Sequence, residues 1–334
     1  MIRFFAHANY DFIALRRWAY GLTAALIIPG LLHLFIAGLN YSIEFTGGTL
    51  VQVEAQQPVN VGRLRGALDA AGLRGAEIQT FQGSNEFTVR ARASQEAVPA
   101  GADVNNTEVT GREVRTALDQ AVGAGKYTVV HTEAVGPKVG GELRQKAFMA
   151  IFLSFFAVLA YLAVRFEWRF GLAAVIATAH DIVATIAFIS VMRLEVSLTV
   201  VAAVLSMVGY SLNDTIIIFD RARENLKKHP KDSFKDILNR SVNETLPRSV
   251  LTHGTTLATL LALVIFGGEV IRPFALVMFF GVFTGTFSSI YIASPVLMAI
   301  EEKWPGPHGR RGLAAKAPAG RPAPRPAQPV EASR

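Results

Sequence analysis

The chain has 334 residues and a net charge of +7, and it is 51% hydrophobic but only 18% charged. A soluble protein carries about a quarter charged residues, so the shortfall points to a chain that lies largely in lipid. It holds no cysteine, which excludes disulfides, thiolate metal sites and cysteine nucleophiles. Its Lys and Arg gather beside apolar runs, where they set membrane orientation, rather than in a nucleic-acid-binding patch.

Crossing the hydrocarbon core takes about 20 apolar residues in a helix. The run 18–38 is the first of this kind. No small-x-small cleavage site leads out of it, so a permanent span is expected rather than a signal peptide. From 39 to 146 the composition turns to that of a soluble domain. A strand is expected at 49–54, then a helix at 59–71 with Val61, Leu64 and Leu68 on one face. Strands at 76–81 and 86–90 flank Gly83-Ser84-Asn85, a hairpin composition. A helix at 107–121, capped by Thr107, and a strand at 127–131 follow. The order β-α-β-β-α-β is that of a ferredoxin-like α+β domain, and the small-residue stretch 91–106 is a long loop.

Five further runs qualify as spans: 147–164, 170–191, 196–219, 250–267 and 273–300. The last is long enough to be tilted, or broken near Gly281 or Gly285. Basic residues then fix the orientation. Arg3, Arg16 and Arg17 precede the first span, and Arg165 and Arg169 separate the second and third. The segment 220–249, read as a loop, carries Arg221, Arg223, Lys227, Lys228 and several more, and Lys303, Arg310 and Arg311 follow the sixth span. The opposite short loops hold only Arg193 and Arg272. The positive-inside rule puts residues 1–17 and the tail 301–334 in the cytoplasm and the 39–146 domain outside. The Pro-, Ala- and Arg-rich end of the tail is too poor in large apolar residues to fold.

Ionisable residues inside spans cost a few kcal/mol each to insert, so each is a functional candidate. Asp181 lies near the middle of the third span beside His180, and Asp214 lies in the inner half of the fourth. Arg248 opens the fifth span, with His253 further in. Polar residues recur at helical spacing around them: Thr178, Asp181 and Thr185; Ser206, Tyr210, Asn213 and Asp214; Arg248, Thr252, Thr255 and Thr259. Residues at these spacings share a helix face. Three spans could therefore turn polar stripes to a common interior that relays protons or pairs Asp214 with Arg248. The same stripes are also what small interhelical packing residues look like. There is no P-loop, nucleophile elbow or H-E-x-x-H, and Gly47-Gly48 reads as a turn or a close backbone approach.

Phe45-Thr46-Gly47-Gly48-Thr49, His180-Asp181, Val208-Gly209-Tyr210-Ser211-Leu212-Asn213-Asp214-Thr215 with Phe219-Asp220-Arg221, and Thr245-Leu246-Pro247-Arg248-Ser249 with Thr252 and Thr255-Thr256 together resemble the SecF branch of the SecD/SecF protein-export family, within the RND transporter superfamily. The resemblance covers nearly all of 16–300. It departs at Glu44, where the family commonly has Asp, and at His253, where a small residue is usual. It implies an α-helical membrane protein whose six-helix bundle forms one RND-like half, with a ferredoxin-like periplasmic domain. It also implies residence in the bacterial inner membrane and work with SecD, the SecYEG channel and SecA on preproteins, driven by the proton gradient, with Na⁺ an alternative ion. Asp214 would be the proton-responsive carboxylate, Arg248 its partner and Asp181 part of the same network. His180, Tyr210, Asn213, Thr252, His253 and Thr255 would support that network, and Phe45, Gly47 and Gly48 would form the periplasmic motif. No enzymatic activity, cofactor or nucleic acid is expected. Two alternatives stay open: a half-transporter exporting a small molecule or lipid, and a non-transporting scaffold. The first usually carries two halves in one chain. The second leaves the cost of Asp214 and Asp181 unexplained.

Overall fold

A computed structural model describes residues 8–80, 85–91 and 107–306. Arg3, the 83–84 turn, the 92–106 loop, the side chain of Thr107, Arg310, Arg311 and the tail beyond residue 306 lie outside the described residues.

In chain order, α1 (Arg16–Ala37) leads into β1 (Asn40–Tyr41), the short α2 (Ile43–Thr46) and β2 (Gly48–Ala55). The domain continues through α3 (Val61–Ala70), β3 (Glu77–Thr80), β4 (Glu86–Ala91), α4 (Thr107–Ala121) and β5 (Tyr127–Val135). Then come α5 (Pro137–Arg165), α6 (Trp168–Val191), β6 (Glu195–Val196), α7 (Leu198–Lys228), α8 (Phe234–Phe266) and α9 (Gly268–Ser288). A π turn (Ser289–Ala293) joins α9 to α10 (Ser294–Lys303).

Six of these helical segments are long and apolar enough to cross a membrane. Large apolar side chains stand exposed on them, among them Trp18, Phe35, Ile36, Phe152 and Val164, as a lipid-facing surface requires. The small domain is an antiparallel four-stranded sheet in the order β3-β4-β2-β5. Alternation along β2 and β4 brings Val51 opposite Val89 and Val53 opposite Phe87. With Leu64 and Leu68 of α3 and Val114 and Leu118 of α4 they form a buried core. The sequence order of strands and helices is the ferredoxin-like one.

Several helices run past the apolar stretches that mark them in sequence. The 220–249 segment is not a loop: α7 continues to Lys228, α8 begins at Phe234, and residues 229–233 alone connect them. Hydropathy detects only the part of a helix that meets lipid. Beyond it α7 and α8 remain amphipathic, burying Leu226, Ile237, Leu238 and Val242, while ion pairs such as Lys228–Glu224 hold the wet side. Likewise α5 starts at Pro137, inside the stretch read as domain, and β5 runs four residues past its expected end, to Val135.

The sixth span stays helical through Gly281 and Gly285 and changes character only at the π turn. The glycines serve packing instead. A Cβ on Gly281 would lie 2.8 Å from the Met207 side chain, and one on Gly285 2.8 Å from Ser211 Cβ. Gly30 meets Ala187 in the same way where α1 crosses α6. Without a hydrophobic drive between helices in lipid, such close backbone approach is what holds spans together. Gly285→Ala is therefore expected to destabilise the bundle by about 1–3 kcal/mol through overpacking, measured as a lower unfolding midpoint in mixed micelles; Gly254→Ala, where nothing lies within 4 Å, serves as the control.

Candidate functional site

Asp181 and Asp214 are buried in the bundle, each tied to a neighbouring helix by serine. Asp181 on α6 is fully buried. Its Oδ2 accepts from Ser211 Oγ of α7 at 2.5 Å and from Ser288 Oγ of α9 at 2.7 Å. Its Oδ1 lies 3.0 Å from His180 Nδ1. Thr178 and Thr185 are buried on the same helix face, Thr178 donating to the Ala174 carbonyl. A carboxylate in an apolar interior needs such donors, because an unpaired buried charge is very costly.

Asp214 on α7 is 2% exposed. Its Oδ1 accepts from Ser249 Oγ of α8 at 2.7 Å, whereas its Oδ2 is buried with no hydrogen-bond partner among the described residues. Because α7 and α8 are antiparallel, residues four apart on each form a square: Tyr210 and Asp214 on one side, His253 and Ser249 on the other. The Tyr210 and His253 rings meet edge to face, centroids 5.2 Å apart. The Tyr210 hydroxyl lies 2.8 Å from Thr256 Oγ1. His253 is buried, and its Nδ1 also lacks a partner. Among the described residues a carboxylate oxygen and an imidazole nitrogen are thus both left without a partner in one buried cluster of side chains, an arrangement able to take up and pass on a proton.

The three stripes do not share one interior. Adjacent residues on a helix point about 100° apart, so burying Asp214 turns Asn213 outward, and burying Ser249 turns Arg248 outward. Both Asn213 and Arg248 are exposed. Asp214 makes its hydrogen bond to Ser249, and no ion pair with Arg248 forms among the described residues. Ser206, Thr252, Thr255 and Thr259 are exposed too. The threonines of α8 donate to their own helix, Thr255 to the Leu251 carbonyl at 2.9 Å and Thr259 to that of Thr255 at 3.0 Å.

Ser211, Ser249 and Ser288 are the partners that the polar stripes alone did not single out. Helical spacing held the signal for two of them: Ser211 lies three residues before Asp214, and Ser249 four before His253.

The Phe45-Thr46-Gly47-Gly48 element lies away from both carboxylates, at the foot of the sheet domain. Phe45 is buried against the Tyr41 ring. Gly47 has φ +74° and Gly48 φ +134°, values that favour glycine. A Cβ on Gly48 would sit 2.8 Å from the Ala91 carbonyl oxygen, and one on Gly140 of α5 2.9 Å from the Gly47 nitrogen. The pair therefore permits close backbone approach, and no anion is needed to account for it.

Residues 114–303 match the family described as "Protein export membrane protein SecD/SecF, C-terminal", and residues 34–59 match the "SecD/SecF GG Motif". The chain is 56% identical over 309 residues to the protein translocase subunit SecF of Gemmatimonas aurantiaca, covering 91% of each chain. It is 36% identical over 294 residues to that of Escherichia coli O157:H7, covering 88% of each. Among solved structures, it is similar to SecDF of Thermus thermophilus, described as a translocon-associated membrane protein, with a TM-score of 0.77 and 37% identity. That likeness covers 90% of this chain and 40% of the SecDF chain. A second SecDF structure, in a super-membrane-facing form, gives a TM-score of 0.64 at 36% identity, with 93% and 40% covered.

Ser288→Ala removes one of two serine donors to Asp181 and is expected to cost about 1–3 kcal/mol, the range for leaving a buried acceptor short of a donor. Unfolding midpoints in mixed micelles would show it, with exposed Ser206→Ala expected to change little.

Proposed function

The chain belongs to the SecF family of protein translocase subunits, and on that premise we propose that it works beside a SecD-type subunit to turn proton entry into preprotein export. In this reading it sits in the bacterial inner membrane with both termini cytoplasmic, next to the SecYEG channel and the SecA motor. The observation that carries the reading is Asp214: 2% exposed, held by Ser249 through one oxygen, its other oxygen open, beside a buried histidine whose Nδ1 is also open.

Protonating Asp214 removes the charge that draws the Ser249 hydroxyl. It also removes the attraction exerted on Arg248 and on His253 when that ring is charged. The α7–α8 contact then has two arrangements, one for each protonation state, and such bistable packing is how a local charge change becomes a helix movement. Each charge crossing about 100 mV supplies about 2.3 kcal/mol, so repeated cycles are needed for a long polypeptide. The hard cation Na⁺ favours several oxygen ligands. Here one serine oxygen and an imidazole surround the carboxylate, which favours a proton.

The outward polar face of α7 and α8 supports the need for a partner. Ser206, Asn213, Arg248, Thr252, Thr255 and Thr259 cannot face hydrocarbon at low cost, and this chain spans only 40% of the solved SecDF chains. A SecD-type subunit covering this face would satisfy those groups.

In membrane vesicles holding this chain with a SecD-type subunit, Asp214→Asn is expected to abolish the proton-gradient-stimulated part of preprotein export while insertion and partner binding persist. Export equal to wild type would defeat the proton reading; a response to an imposed Na⁺ gradient alone would assign the other ion. Because the chain has no native cysteine, Thr255→Cys should cross-link to the partner subunit, whereas lipid-facing Phe152→Cys should not.

A further inference from the structure

Besides its packing on the start of α5, the sheet domain is fastened to the α6–α7 turn by contacts of different kinds. Backbone pairing comes first: β1 runs parallel to β6, Asn40 opposite Glu195 and Tyr41 opposite Val196, and Ser42 N donates to the Val196 carbonyl at 2.9 Å. A helix cap follows: Glu44 Oε2 accepts from Leu198 N, the first residue of α7, at 2.5 Å, where a carboxylate is favoured by the unsatisfied amides and the helix dipole. A charge bridge completes it. Arg90 of β4, its side chain 11% exposed, pairs with Glu77 of β3 at 3.1 Å and with Glu195 of β6. Burial pushes the Glu195 carboxyl up while the Arg90 guanidinium pulls it down. A hinged domain would be joined by solvated, weakly packed chain. This one is joined by a part-buried bridge whose members come from the sheet and from the α6–α7 turn.

The helix so gripped is α7, which carries Asp214. We propose that Glu44, Arg90 and Glu195 form a rigid joint that passes displacement of α7 directly into the sheet domain, so that the domain and the outer end of α7 move as one body. The inference rests on the proton-driven reading above. Arg90 and Glu195 touch neither carboxylate site and act by position, through α7. Breaking the bridge should uncouple the domain while proton uptake at Asp214 continues.

The test uses the full chain with its SecD-type subunit in vesicles and compares Arg90→Glu, Glu195→Arg, the double exchange, and an Arg90→Cys/Glu195→Cys pair bridged by a short bismaleimide. Each single variant is expected to lose gradient-stimulated export while still inserting and binding its partner. The double exchange, which restores opposite charges, should recover most of it, and the bridged pair should export like wild type. Single variants that export normally, a double exchange that recovers nothing, or a bridged pair that arrests export would each overturn the joint. Asp214→Asn is run alongside. If it exports like wild type, the proton reading fails; if it fails while the single variants are intact, only the joint is wrong.

Discussion

A carboxylate buried among apolar helices has to find its donors on other helices, and much of the bundle follows from how Asp181 and Asp214 do so. Asp181 draws hydroxyls from α7 and α9 and thereby ties three helices at one level. Asp214 draws a hydroxyl from α8 alone and keeps one oxygen open. In the function proposed above, that difference separates their roles, Asp181 as a fixed point and Asp214 as the responsive group. Ser211 and Asp214 lie three residues apart on α7, so the two carboxylate networks hold neighbouring turns of the same helix.

The number of spans, the strand and helix order of the domain, and the burial of Asp181 and Asp214 were legible in the sequence, because each depends on local periodicity or on the cost of charge in lipid. The extent of α5, α7 and α8 was not, since hydropathy falls where a helix enters water although its hydrogen bonds continue. The facing of the stripes was also hidden. Spacing shows that Asn213 and Asp214 differ in direction by about 100° but not which of them points inward. The Arg248 pairing rested on the helical spacing of the stripes and on the family resemblance; in the fold its neighbour Ser249 takes the inward position. The joint between Glu44, Arg90 and Glu195 is long-range, and nothing in the sequence marked Glu195 apart from other loop acids.

The polar surface of α7 and α8 sets this chain apart from a self-sufficient bundle. On α1 and α5 the exposed side chains within the spans are mostly large and apolar, as lipid requires. The threonines of α8 soften the mismatch by bonding to their own backbone, a device that lets a helix be polar in composition yet close-packed against another. Arg248 has no such recourse. Its charge is the feature of that face which most demands a neighbour.

The unbroken length of α7 has a mechanical meaning of its own. Sixteen residues separate Leu198 from Asp214, and at about 1.5 Å of rise per residue that is an arm of about 24 Å. Pivoted at the level of the two carboxylates, the helix would amplify small repacking: a tilt of about five degrees carries its far end about 2 Å, more than one residue's rise. A helix interrupted by proline or glycine between those points would dissipate the motion as bending. Gly209 is the only such residue in the stretch, and it leaves the helix intact. Driven in the proposed way, α7 would act as a stiff lever where a kinked helix would act as a spring.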